Sequence, residues 1–220
     1  MSIWDIQDKQ GYIYCLNNNT GQINLDTVFG TIIYDIAKTS KYKTYLEIGT
    51  WNGLGSTKCF IEGFKSRTDD FIFYSLECNP EKSYIAKNMY KNINNVNILN
   101  EVLFNETPSD LYETFPELKN NNTYQQWHDI DIMNMRNCNL FFNRTNLPEI
   151  FDVVLLDGGE FTTYHEFKKI ENKCKLLLLD DTNTNKCNRI VCEIKQNSDK
   201  WKIIIENKLE RNGFLVCERI

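Results

Sequence analysis

Alanine is nearly missing from these 220 residues: only Ala37 and Ala86 occur, beside 28 asparagines. Asn, Lys and Ile codons are AT-rich, so the bias reads as genome drift and carries no function. It also devalues Asn105-Glu106-Thr107 and Asn143-Arg144-Thr145 as glycosylation sites, because Asn-x-Thr arises by chance at this Asn content. Proline is scarce too, at four residues, and with 41% apolar and 25% charged residues this excludes collagen, coiled coil and bulk disorder. No apolar run comes near 18 residues, and Leu176–Leu179 has only strand length, so a transmembrane helix is excluded. Met1-Ser2-Ile3-Trp4-Asp5 lacks the basic start and apolar stretch of a signal peptide. The eight cysteines (15, 59, 78, 138, 174, 187, 192, 217) include no Cys-x-x-Cys pair and scatter through apolar stretches. They read as reduced thiols, which predicts a cytoplasmic protein. Cys217-Glu218-Arg219-Ile220 matches a prenylation box in position only, since its middle pair is charged. Cationic side chains are outnumbered, 25 against 30, giving a net charge of −5 and a pI near 5.2. That argues against nucleic acid as the main partner.

What is present is rhythm. A chain of this length buries roughly 70% of its unfolded surface and needs no disulfide or metal to fold. Short β-branched or aromatic runs alternate with helix-period stretches from residue 27 onward. The pattern predicts a helix over Thr27–Thr39 after an Asp26 cap, then strand Lys43–Ile48, helix Ser56–Phe64, strand Phe71–Leu76, helix Pro80–Tyr90 and strand Val96–Leu99. Strands Phe151–Leu156 and Lys175–Leu179 follow, separated by helix Thr163–Asn172. A helix over Asn185–Gln196 leads to strands Trp201–Ile205 and Phe214–Cys217. Strands separated by helices predict βαβ units, hence an α/β doubly wound, mostly parallel sheet. The last two strands lie too close together for a crossover helix and should form an antiparallel hairpin. Residues 108–149 break the rhythm. They are polar and Asn-rich, and read as an insertion in a single 1–220 domain, serving as a lid or a homo-oligomer contact.

In an open parallel sheet, ligands sit at the C-terminal ends of the strands. After the first strand comes Glu47-Ile48-Gly49-Thr50-Trp51-Asn52-Gly53-Leu54-Gly55-Ser56, a glycine loop running into a helix N-terminus. Its glycine spacing fails the Gly-x-Gly-x-x-Gly nicotinamide fingerprint. After the second strand comes Glu77-Cys78, an acid placed to accept from two ribose hydroxyls. After the fourth and fifth come Asp157-Gly158-Gly159-Glu160 and Asp180-Asp181. Three carboxylates at two adjacent strand tips repel unless a cation or protons neutralise them, and hard oxygen ligands suit Mg²⁺.

Glu47-x-Gly49-x-x-x-Gly53 with Glu77 resembles the cofactor site of class I S-adenosylmethionine-dependent methyltransferases. The resemblance implies that Glu47, Gly49, Thr50, Trp51, Gly53, Ser56, Glu77, Cys78 and Asp157 hold the methyl donor. The Asp157, Asp180, Asp181 set is similar to the metal site of the catechol and macrocin-type (sugar) O-methyltransferase branch. By that likeness the chain is a Mg²⁺-dependent O-methyltransferase for a hydroxyl of a sugar or nucleotide-sugar, with Asp157 at the reacting centre. Two positions depart from the pattern. Gly159 stands where macrocin-type enzymes carry their presumed base, and Glu160 where catechol enzymes carry Lys. Glu160 is therefore the candidate general base, with a carboxyl raised by partial desolvation; its alternative role is to cap the following helix. Other readings are a nucleic-acid 2′-O-methyltransferase, which would want a basic groove, and a non-catalytic partner protein of the same fold. Of the two histidines, His128 should overhang the site and His165 should face solvent. Trp51 is placed to lie against a sulfonium cation.

Overall fold

A computed structural model of the protein describes residues 21–220. Its first helix, α1 (Val28–Lys38), starts one residue later than Asp26 suggested. Thr27 is the N-cap, its hydroxyl accepting from the Gly30 N–H at 3.0 Å. The Glu210 carboxylate, far along the chain, accepts from the Val28 and Phe29 N–H groups at 2.7 and 2.9 Å. An acid is favoured there by the helix dipole.

Then come β1 (Thr44–Ile48), α2 (Ser56–Phe64), β2 (Ile72–Leu76), α3 (Pro80–Tyr90) and β3 (Val96–Leu99). Asn79 caps α3 by accepting from two N–H groups, and Pro80 takes the position where no N–H is needed. After a longer excursion follow β6 (Phe151–Leu156), α6 (Thr163–Ile170), β7 (Cys174–Asp180), α7 (Asn185–Gln196), β8 (Trp201–Asn207) and β9 (Phe214–Arg219). These strands form one seven-stranded sheet in the order β3-β2-β1-β6-β7-β9-β8. All neighbours pair in parallel except β9, which is antiparallel to both β7 and β8. This is the expected doubly wound sheet with its terminal hairpin.

The side-chain period of two splits the core into two layers. Val153 and Leu155 of β6 turn toward Phe29 and Ile33 of α1, Phe60 of α2 and Ala86 of α3. Val154 and Leu156 turn the other way, toward Phe167 and Ile170 of α6 and Ile190 and Ile194 of α7. A strand buried on both faces reads as a continuous apolar run, as Leu176–Leu179 of β7 does. The strand order reverses between β1 and β6, and in open α/β sheets ligands bind at the C-terminal strand ends beside such a reversal.

The 108–149 stretch is more ordered than its composition suggests. It holds α4 (Leu111–Thr114), a 3₁₀ turn and the 15-residue α5 (Asn122–Arg136). A short parallel pair, β4 (Glu101–Val102) with β5 (Asn139–Leu140), closes its base. The buried residues of α5 are His128, Ile132 and Met135, a narrow helical stripe packed near Val102 and Cys78. The seven cysteines within the described residues are free thiols; Cys15 lies outside them. Among the described residues no helix is long and apolar enough to cross a membrane.

Candidate active site

Glu47 ends β1 with no exposed surface, and both its oxygens are occupied. Oε1 accepts from Ser56 Oγ at 2.6 Å; Oε2 accepts from Thr57 Oγ1 at 2.6 Å and Ser75 Oγ at 2.5 Å. Burial raises its pKa to about 7 against these three donors. Glu47 and Ser56 therefore act as the internal tie between β1 and the start of α2. Thr50 serves likewise, with its hydroxyl 2.5 Å from that of Ser75.

The two key glycines have reasons other than ligand approach. Gly49 has φ +101°, and a Cβ there would lie 2.0 Å from the Asp157 carbonyl oxygen. Gly53 has φ +82°, and its Cβ would press on Tyr90 and Ala86 of α3 at 2.9 and 3.0 Å. Both let chain meet chain, at β6 and at α3.

Glu77 is buried at the end of β2, where its Oε2 accepts from the Trp51 N–H at 2.6 Å and its Oε1 from the Asn79 N–H at 2.8 Å. Burial raises the Glu77 carboxyl and these donors lower it, with a net upward shift. It is no solvated strand-end charge. Trp51 has φ +52° and is half-exposed, but its ring already carries the Lys82 ammonium 4.0 Å from the centroid. A sulfonium on that face would meet a like charge, so the cation–π role expected of Trp51 is not what this arrangement offers. The Cys78 side chain belongs to the small apolar cluster under α5.

Asp157, Asp180 and Asp181 do converge: one oxygen from each lies within 4.8 Å of the others. The cations that neutralise them were not foreseen. Lys186, on the first turn of α7 and only 5% exposed, donates to Asp157 Oδ1 at 2.8 Å and Asp181 Oδ2 at 3.0 Å. Arg211 lies 3.1 Å from Asp180, and Asn212 donates to Asp181 at 3.0 Å. Burial raises the Asp157 carboxyl; burial and the two neighbouring carboxylates raise Asp180; burial also acts upward on Asp181, but Lys186, Asn212 and Arg211 together outweigh it and hold that carboxyl low. The sequence signal for Lys186 was present, five residues after Asp181 where the next helix begins.

Glu160 accepts from the Tyr124 hydroxyl at 3.0 Å, and burial raises its pKa, as anticipated. It does not cap α6, whose first turn has no side-chain cap. Glu160 and Lys186 line one small cavity under the 108–149 segment. His128 is buried against Phe161, and its Nε2 has no hydrogen-bond partner. His165 does not face solvent; it stacks on Phe104 and donates to Asp110. Glu166 of α6, another acid missed in the sequence, is buried with Oε2 unpartnered and a pKa pushed up to about 8 by burial.

No family model matches the sequence, and no curated protein matches it. Solved structures do resemble the fold. A Bacillus cereus O-methyltransferase in complex with S-adenosylhomocysteine superposes with a TM-score of 0.58 at 13% identity, over 97% of this chain and 90% of that one. A Podospora anserina methyltransferase, PaMTH1, also bound to S-adenosylhomocysteine, gives 0.56 at 13% identity, over 87% and 77%. A Geobacter sulfurreducens methyltransferase gives 0.53 at 12% identity, over 100% and 90%. Sheet order, terminal hairpin and these superpositions agree that the chain has the Rossmann-like fold of class I methyltransferases.

Proposed function

We propose that the protein is an S-adenosylmethionine-dependent O-methyltransferase acting on a hydroxyl of a sugar or nucleotide-sugar. The observation that carries this reading is placement: the Glu47–Gly53 loop, Glu77 and the three aspartates all lie at the C-terminal ends of β1, β2, β6 and β7, on either side of the reversal of strand order, and the aspartate oxygens converge. Glu77 would hold the ribose diol of the donor. The reaction is an in-line displacement in which the C–S bond breaks, sulfur keeps the electron pair and the acceptor oxygen bonds to the methyl carbon. The hydroxyl proton must leave as this happens. Glu160 would receive it, with Tyr124 holding Oε1 and the desolvated setting making the carboxylate a stronger base.

The residues present fit Mg²⁺. Three carboxylate oxygens gather closely, and buried Asp180 Oδ2 makes no aligned hydrogen bond, with only the Arg211 guanidinium beside it at 3.1 Å. Asp157, Asp180 and Asp181 would hold the ion, which when bound supplies Lewis-acid lowering of the hydroxyl pKa. In its absence Lys186 and Arg211 balance the acids.

Glu77→Ala should weaken S-adenosylmethionine binding by about 1–3 kcal/mol, read by titration calorimetry, because a charged acceptor is lost and the Trp51 N–H is freed. Wild-type affinity in this variant would move the donor elsewhere. Methyl transfer to a sugar hydroxyl should stop in EDTA and return with Mg²⁺; full turnover in chelator would leave the aspartates with Lys186 and Arg211 as their counter-charges.

A further inference from the structure

The 108–149 segment reaches the strand-end wall at Tyr124, which holds Glu160, and again at Asp110. Asp110, just before α4, meets two hydrogen-bond donors on the opposite wall. His165 of α6 donates from Nε2 to Oδ1 at 3.0 Å, and Arg189 of α7 donates to Oδ2. Both partners are held from behind. The Arg189 guanidinium lies 3.6 Å from the centroid of the Tyr164 ring, and the His165 ring stacks on Phe104 at 4.9 Å. Stacking fixes a planar donor without using its N–H groups, so both would stay in place if Asp110 withdrew. Partial burial raises the Asp110 carboxyl, but the donors from Arg189 and His165 outweigh it and hold it below its ordinary value.

The same residues line the cavity that contains Glu160 and Lys186, and its free volume is about 10 Å³. That is room for about one water and no acceptor. An acceptor can enter only if the Asp110 contact opens, and the two donors then face whatever has entered. Lys186 and Arg189 lie within the first two turns of the 12-residue α7, so the helix dipole adds to the positive charge there.

We propose that Arg189 and His165 form a subsite for a phosphoryl group of the acceptor, with the Asp110 carboxylate standing in for that group while the site is empty. The cavity then has a direction, with the phosphorylated end of the acceptor at Arg189 and its reacting hydroxyl at Glu160. The inference rests on the hydroxyl-acceptor reading above and narrows it to sugar phosphates or nucleoside-diphosphate sugars. Asp110 acts as a latch, breaking its two contacts when a more highly charged oxyanion replaces it.

The test is calorimetric titration of the full chain with inorganic pyrophosphate, and with acetate in parallel. Asp110→Asn removes the internal competitor and should tighten pyrophosphate binding at least fivefold. Arg189→Gln and His165→Gln should each weaken it at least fivefold relative to wild type. Arg189 is about half exposed, so its variant should remain folded, which its melting curve checks. Unchanged pyrophosphate affinity in Asp110→Asn, or wild-type affinity in Arg189→Gln, overturns the proposal, as does acetate binding as tightly as pyrophosphate. S-adenosylmethionine affinity should agree within twofold across all four proteins. Its absence from wild type would instead sink the methyltransferase reading, leaving the oxyanion result to stand by itself.

Discussion

Glu160→Gln is expected to lower kcat roughly 10²- to 10⁴-fold while S-adenosylmethionine affinity stays intact. The substitution keeps the shape of the side chain and an oxygen for the Tyr124 hydroxyl, and removes only the ability to take a proton. A free carboxylate is a weak base at neutral pH. Glu160 is different because burial raises its pKa, with the neighbouring Asp181 and Glu117 acting in the same direction. Its position beside Lys186 in the cavity places it at the reacting end of the acceptor path. Single-turnover measurement separates the chemical step from release. A loss below tenfold would transfer the proton to another group, with His128 the candidate: it is buried, and its Nε2 has no hydrogen-bond partner.

Lys186→Met should cost about 3–5 kcal/mol of folding stability in metal-free buffer, because it strands two carboxylates that share one ammonium. The side chain is only 5% exposed, so solvent cannot fill the gap as it would for a surface pair. Met keeps most of the volume, which confines the effect to charge. Urea unfolding with an unchanged m-value is the measurement. Added Mg²⁺ should restore part of the lost stability by replacing the missing positive charge. A deficit under 1 kcal/mol would mean that the aspartates carry protons in place of a lysine partner.

Much of the fold was legible because local chemistry and global pattern agreed. Asn79-Pro80 marks the start of α3 by capping and by proline's missing N–H, and the boundary falls where that logic puts it. The strands of the sheet announce themselves as apolar runs because both faces are covered. The α5 helix was hidden for the opposite reason: its inward stripe is a single file of His128, Ile132 and Met135, while Trp127, Ile130 and Met133 on its exposed side blur the apolar period. At the site, the acids stood out because each follows a strand. Their cations did not, since Lys186 comes from a helix and Arg211 from a hairpin turn, and only the folded chain brings them together. Trp51 misled because Lys82, 31 positions later, occupies the ring face that the sequence left open.

The turn at residues 210–213 bears on how the molecule is made. Glu210 closes the amino end of α1, while Arg211 and Asn212 hold Asp180 and Asp181. β9 then wedges between β7 and β8, two strands that emerge from the ribosome before it. A nascent chain lacking these residues therefore has a helix α1 capped by Thr27 alone, an open sheet edge and an Asp180 without its arginine. Co-translational assembly should stall at a loosely joined stage, and donor-binding competence should switch on in one late step when this turn clears the exit tunnel.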